Sequence, residues 1–208
     1  MRRQGRFARG DAKRKPSSGD PRPRFKIVCE GKVTEALYIE GLRKIYGANV
    51  LLLKQTGTPA TIADAIIKEK NDDKPRKNQD SWAKSNQYWA VFDHDEHPYI
   101  RETIDRLKAN NVGIAYSNPC FELWLILHFM DHDSPEHRHD IQRNYEKLDE
   151  SYCKTSGKAA DISKIIGGVE KAEERAHNLN VRRFNERNVG GNPSTTVGLL
   201  TRALREMK

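Results

Sequence analysis

The sequence predicts an α/β protein in which helices cover both faces of a parallel sheet. Short apolar segments of strand length alternate with longer segments that repeat apolar residues at helical spacing. Four such strand–helix pairs follow one another between residues 25 and 129, and this alternation is typical of parallel sheets. After residue 132 the pattern indicates helices only.

The four strands are predicted from short apolar runs that are bounded by polar or turn-forming residues. They are 25–30 (FKIVCE), 50–55 (VLLLKQ), 88–93 (YWAVFD) and 112–117 (VGIAYS). With the intervening helices they predict a three-layer α/β/α core with a four-stranded parallel sheet.

The helices are predicted from apolar residues that recur three and four positions apart. Two of them, 59–70 and 98–110, also begin at a proline, which suits the first turn of a helix. The predicted helices are 33–46 (Leu37, Ile39, Leu42, Ile45), 59–70 (Ile62, Ala65, Ile66), 98–110 (Ile100, Ile104, Leu107), the strongly apolar 119–129, a weak one at 138–148, 161–178 (Ile162, Ile165, Val169, Ala172) and 194–207 (Val197, Leu200, Leu204).

Charge divides the 208-residue chain into unequal parts. Residues 1–24 hold nine Lys or Arg against Asp11 and Asp20, a net charge of +7, and the other 184 residues carry 28 basic and 27 acidic groups. The first segment is also rich in Gly, Pro and Ser, so we expect a disordered basic arm. The predicted organisation is therefore an arm at 1–24, an α/β core at 25–132 and a helical extension at 133–208 that packs on the core.

The arm has two interpretations. It is either a solvated leader or a segment that gains affinity for nucleic acid by releasing counterions from phosphates. On the second interpretation the residues that bind nucleic acid are Arg2, Arg3, Arg6, Arg9, Lys13, Arg14 and Lys15.

The cysteines and the hydropathy pattern indicate the compartment. Cys29, Cys120 and Cys153 are odd in number and form no CxxC pair, which argues against a disulfide framework and a zinc ribbon. No apolar stretch approaches the roughly 20 residues that span a bilayer, and the amino terminus lacks the apolar run of a secretory signal. We therefore expect a cytoplasmic protein without membrane contact.

Acidic residues follow the predicted strands. Glu30 ends the first strand, Asp93 and Asp95 end the third, and Glu122 lies one helical turn beyond the fourth. Because ligands of parallel α/β sheets bind beyond the carboxyl ends of the strands, we expect these carboxylates to converge. Closely spaced carboxylates in a cleft repel one another unless a cation lies between them, and Mg²⁺ or Mn²⁺ prefers oxygen ligands. Such ions support phosphodiester hydrolysis.

Each acid also has a structural interpretation. Asp93 and Asp95 could cap the helix that begins near Pro98, and Glu30 could belong to a plain turn. The negative charge of Glu122 could stabilise the amino terminus of its own helix. His128 and His132 are four residues apart but lack the glutamate of an HExxH motif, so a zinc site is not predicted.

Four blocks of the chain resemble the RloB-like family, whose core is similar to the Toprim domain. They are IVCEGKVTEALYIEGL (27–42), VFDHDEH (91–97), SNPCFELWLILHF (117–129) and NPSTTVGLLTRAL (192–204). The resemblance implies a four-stranded parallel sheet with metal ligands at Glu30, Asp93 and Asp95. It also implies a role in defence against phage, often with an ATPase partner of overcoming-lysogenization-defect type.

The resemblance to nucleases of that type suggests further site residues, which are chosen by their positions after the predicted strands. These are Glu35, Ser117 and Glu122 for a two-metal site and Lys154 as a catalytic lysine. The spacing departs from the pattern, since Glu30 and Glu35 lie five residues apart rather than four and four residues are inserted between Ser117 and Glu122.

The function expected from these observations is that of a metal-dependent endonuclease. Its substrate would be RNA, such as tRNA, or DNA, and its activity could depend on a partner protein. The main alternative is a non-catalytic module that binds nucleic acid or an ATPase partner. A nucleotide-sugar transferase, in which D-x-D also holds a cation, leaves Glu30 unexplained and ranks last.

Overall fold

The computed structural model describes residues 24–207 except for 54, 56, 74–84, 95–96 and 155–159, and the side chains of 153 and 154. The predicted basic arm therefore lies outside the described residues apart from Arg24. Asp95 and the side chain of Lys154 lie outside them as well.

The described residues form one five-stranded sheet. Its strands are β1 (Phe25–Cys29), β2 (Val50–Leu53), β3 (Gln87–Asp93), β4 (Gly113–Asn118) and β5 (Ser194–Thr195). The spatial order is β2-β1-β3-β4-β5, and the first four strands are parallel, as the alternating pattern predicts.

The expectation of a purely parallel four-stranded sheet is wrong. β5 pairs antiparallel with β4, with Thr195 opposite Ser117 and Ser194 opposite Asn118. The sequence predicted the start of a helix at residue 194, because a two-residue polar strand has no apolar alternation of its own. Its pairing depends on the edge of β4, which only the folded chain provides. The extension after residue 132 is therefore not purely helical.

The helices in the described part of the chain differ from the predictions mainly in the second half. They are α1 (Thr34–Tyr46), α2 (Pro59–Asp72), α3 (Ile100–Ala109), α4 (Glu122–Ile126), α5 (Arg138–Leu148), α6 (Ser151–Lys154), α7 (Ile162–Ile165), α8 (Val169–Asn185) and α9 (Val197–Arg205). The predicted helix 119–129 shortens to α4. The predicted helix 161–178 is divided, and its second part continues to Asn185.

A 3₁₀ turn at Ile166–Gly168 causes this division. A Cβ atom on Gly168 would lie 2.7 Å from the backbone oxygen of His128, so the chain passes close to the end of the apolar segment at this point. Glycine permits that approach, and the continuous apolar spacing across the turn concealed the break.

Helices cover both faces of the sheet. On one face, Phe25, Ile27 and Val91 belong to a core that includes side chains of α1, α4, α5, α8 and α9. On the other, Val28 and Phe92 pack with side chains of α2 and α3. This confirms the α/β class and places α1 and α4 on the same face. No helix among the described residues is long and apolar enough to cross a membrane.

Candidate functional site

The carboxyl ends of β1 and β3 bring Glu30 and Asp93 together. The two strands are hydrogen-bonded neighbours, and the Glu30 N–H donates to the Val91 oxygen at 2.9 Å. The Asp93 N–H in turn donates to Oε2 of Glu30 at 3.1 Å. The two acids that end separate predicted strands are therefore adjacent in the fold.

Glu35 reaches the same place from the first turn of α1. The Gly31 N–H donates to its carboxylate, and a Cβ atom built on Gly31 would lie 1.8 Å from Glu35 Oε2. The carboxylate thus rests against the Gly31 backbone. Glu35 is buried, although it is a glutamate at a helix amino terminus. A purely capping role would leave such a side chain in water.

Glu122 is the first residue of α4, on the face of the sheet that α1 also covers. It is buried, and its Oε1 accepts a hydrogen bond from the hydroxyl of Tyr152 in α6. Helix α4 lies shortly after β4, whose end is level with that of β3, since Ser117 pairs with Asp93.

These four carboxylates line one cleft of about 270 Å³. Its other lining residues are Gly31, Lys32, Val33, Thr34, Phe121, Arg138 and Gln142. The cleft therefore combines acids from three parts of the chain with two cationic side chains, of which Lys32 is exposed and Arg138 is half-buried.

Burial raises the pKa of three of these acids, and neighbouring acids raise it further for two of them. Burial raises the pKa of Asp93 well above its usual range, and the charges of Glu35, Glu122 and Glu30 raise it further, against the effect of Arg138. Burial and the charges of Glu122 and Glu30 also raise the pKa of Glu35 to about 7, although backbone hydrogen bonds oppose them. Burial raises the pKa of Glu30 too, with the Asp93 N–H opposing.

The donor set suits a hard divalent cation, but its present geometry is not that of a coordination shell. Among the described residues, no group of three or more His, Cys, Asp or Glu is arranged to hold a metal ion. Oε2 of Glu30 accepts a hydrogen bond from the Asp93 N–H, and Oε1 of Glu122 accepts one from the Tyr152 hydroxyl. The carboxylate of Glu35 packs against the Gly31 backbone. Carboxylate oxygens are nevertheless the ligands that Mg²⁺ and Mn²⁺ prefer.

Two nitrogen-bearing side chains near the acids are not among the predicted site residues. His97 Nε2 lies 4.0 Å from Glu30 Oε1, and Arg138 lowers the pKa of both Glu30 and Asp93. His97 lies four residues after Asp93, and Arg138 begins a helix 45 residues after it. No motif connects Arg138 to the strand ends, so its position could not be predicted.

Ser117, another predicted site residue, is not among the described residues that line the cleft. The Ser117 hydroxyl lies 3.0 Å from that of Thr195 and is buried between β4 and β5, which supports a structural role. The described residues do not include Asp95, the side chain of Lys154 or the basic residues of the arm that are predicted to bind nucleic acid. Their proposed roles remain predictions.

Comparison with known proteins places the chain in a family. The family model described as RloB-like protein matches residues 25–204, which is most of the chain. Neither the comparison with curated proteins nor that with solved structures gives a match.

Proposed function

The chain belongs to the RloB-like family, and we propose that it is a divalent-metal-dependent nuclease that cleaves RNA or DNA at its acidic cleft. One observation carries the proposal. Four carboxylates from three parts of the chain, Glu30, Glu35, Asp93 and Glu122, line one cleft, where burial and their mutual repulsion raise the pKa of Asp93 and of Glu35. Burial of several carboxylates side by side costs free energy, and such clusters are typical of functional sites.

Mg²⁺ or Mn²⁺ is the cofactor that this donor set suits. Glu30 and Asp93 would be its ligands together with Asp95, and Glu35 and Glu122 would complete the shell or hold a second ion. When bound, such an ion polarises a phosphodiester and lowers the pKa of a bound water molecule.

The cationic residues of the cleft suit a phosphate substrate. Lys32 and Arg138 share the cleft with the acids, so they can contact phosphate oxygens of a bound nucleic acid. An arginine is well suited to this contact because its planar group donates two parallel hydrogen bonds to phosphate. The position of Arg138 at the start of α5 fixes its backbone next to the cleft.

The biological context rests on the resemblance rather than on the cleft. We include in the proposal a role in defence against phage, together with an ATPase partner of overcoming-lysogenization-defect type. The arm at 1–24 would assist the docking of nucleic acid through its positive charge.

The proposal is tested with the purified protein on tRNA, mRNA and plasmid DNA, in Mn²⁺, Mg²⁺ or EDTA. Mn²⁺ binding by the protein alone is measured in parallel by calorimetry. We expect cleavage that EDTA abolishes, and a loss of roughly 100-fold or more in rate for Asp93→Asn and for Glu30→Gln, since a direct ligand matters at least as much as an outer-shell residue. The matched control is Glu174→Gln, which changes an exposed carboxylate on α8.

Two results would contradict the proposal. One is cleavage that persists in EDTA or in Asp93→Asn at the wild-type rate. The other is a wild-type protein that neither cleaves any substrate nor binds Mn²⁺ but still binds nucleic acid, which would favour the non-catalytic module. A protein that binds Mn²⁺ without cleaving supports the metal site and directs the search to the ATPase partner.

A further inference from the structure

We propose that Tyr152 is a positioning residue that orients Glu122 for metal binding, an inference that rests on the proposed function. Its hydroxyl donates a hydrogen bond to Glu122 Oε1. Tyr152 is 1% exposed and Glu122 is 5% exposed, so water does not compete freely for this bond. Tyr152 does not line the cleft, and it would act only through Glu122.

A second tyrosine holds the Tyr152 ring in place. The rings of Tyr145 and Tyr152 pack edge to face, with centroids 4.9 Å apart and an interplanar angle of 82°. Tyr145 is fully buried, and its hydroxyl donates to Oδ2 of Asp149 at 3.2 Å. The hydroxyl of Tyr152 is therefore presented to Glu122 from a packed surface rather than from a mobile loop.

Asp149 fixes both ends of the segment that carries Tyr152. Its carboxylate is completely buried and accepts hydrogen bonds from the Ser151 N–H at 3.1 Å and the Ser151 hydroxyl at 2.6 Å. It also accepts one from the Asp161 N–H at 2.9 Å and one from Lys164 Nζ at 3.1 Å. These bonds tie the start of α6 and the start of α7 to the end of α5.

The hydrogen bond has a specific consequence for Glu122. A hydroxyl that donates to Oε1 occupies that oxygen and restricts rotation of the carboxylate, so Oε2 keeps a fixed direction. Outer-shell hydrogen bonds of this kind typically change metal affinity by about 10–100-fold. Sequence offered no hint of this hydrogen bond, since Glu122 and Tyr152 are 30 residues apart.

The test is a double-mutant cycle on the dissociation constant for Mn²⁺, measured with Tyr152→Phe, Glu122→Gln and the double variant. The phenylalanine keeps the packed ring and removes only the hydroxyl. We expect Tyr152→Phe to weaken Mn²⁺ binding about 10-fold in the wild-type background and to have no effect in the Glu122→Gln background. Circular dichroism and thermal melting establish that each variant is folded.

Tyr88→Phe is the matched control. The hydroxyl of Tyr88 also donates to a carboxylate, that of Asp73, at 2.7 Å, but Tyr88 lies near the start of β3 and Asp93 at its end. Its Mn²⁺ affinity should equal that of the wild type.

The inference is overturned if Tyr152→Phe binds Mn²⁺ as tightly as the wild type, or if it weakens binding equally in both backgrounds. Equal weakening would mean that loss of the hydroxyl loosens the fold in general. A wild-type protein that binds no Mn²⁺ overturns the proposed function itself, and the inference with it.

Discussion

Glu35 shows most directly how burial sets the chemistry of single residues in the cleft. The side chain is 6% exposed, and burial together with two neighbouring acids raises its pKa to about 7. In the unfolded chain the pKa of a glutamate is near 4.5. The folded chain therefore binds more protons than the unfolded chain between these two values. Its free energy of unfolding falls as the pH rises through that range.

Glu35→Gln should remove the contribution of Glu35 to this dependence, because glutamine carries no charge at any of these pH values. Without metal, we expect the variant to be more stable than the wild type by roughly 2–3 kcal/mol at pH 8 and equally stable within about 0.5 kcal/mol at pH 4. Urea unfolding at both pH values measures the difference.

Glu174→Gln on the exposed face of α8 should show no such difference between the two pH values. A constant gap between Glu35→Gln and the wild type from pH 4 to pH 8 would show that Glu35 does not titrate in this range. Added Mn²⁺ should stabilise the wild type more than Glu35→Gln, since the metal would replace the proton as the partner of the carboxylate.

Among the secondary-structure elements, β3 and β4 approach each other closely at one small residue. Gly113 lies opposite Trp89, and a Cβ atom on Gly113 would lie 2.4–2.6 Å from three atoms of the indole ring. Trp89 itself packs against the larger core. The ring therefore occupies the space that any side chain at residue 113 would need.

Gly113→Ala should destabilise the protein by about 1–3 kcal/mol, because the indole or the strand must move to accept the methyl group. The midpoint of urea unfolding measures this loss. Gly167→Ala is the control, since nothing lies within 4 Å of a Cβ atom there, and its effect should stay within about 0.5 kcal/mol. Equal midpoints for Gly113→Ala and the wild type would mean that Trp89 rearranges at no cost.

Across the molecule as a whole, most of the net positive charge lies in the first 24 residues of the sequence. The first 24 residues carry +7, whereas the remainder is nearly neutral and its cleft is rich in acids. Free of metal, such a cleft repels phosphates, so affinity for nucleic acid would depend on cations elsewhere. The arm is the strongest concentration of them in the sequence.

Deletion of residues 1–23 should therefore weaken the binding of nucleic acid without changing the melting temperature. The logarithm of the binding constant should fall less steeply with the logarithm of salt concentration, by about 0.7–0.9 for each phosphate that the shortened protein no longer neutralises. Fluorescence anisotropy at several salt concentrations measures both quantities. Unchanged affinity and an unchanged salt slope would identify the arm as a solvated leader.

Local patterns in the amino-acid sequence were sufficient to predict the α/β class, the four parallel strands and the convergence of Glu30 and Asp93. These follow from apolar periodicity and from the rule that parallel strands end at one edge. Strand β5, the break at Gly168, and the positions of Arg138 and Tyr152 around the cleft emerge only in the folded chain. Each of them depends on a partner distant in sequence, and apolar periodicity carries no information about which distant backbone or carboxylate a side chain meets.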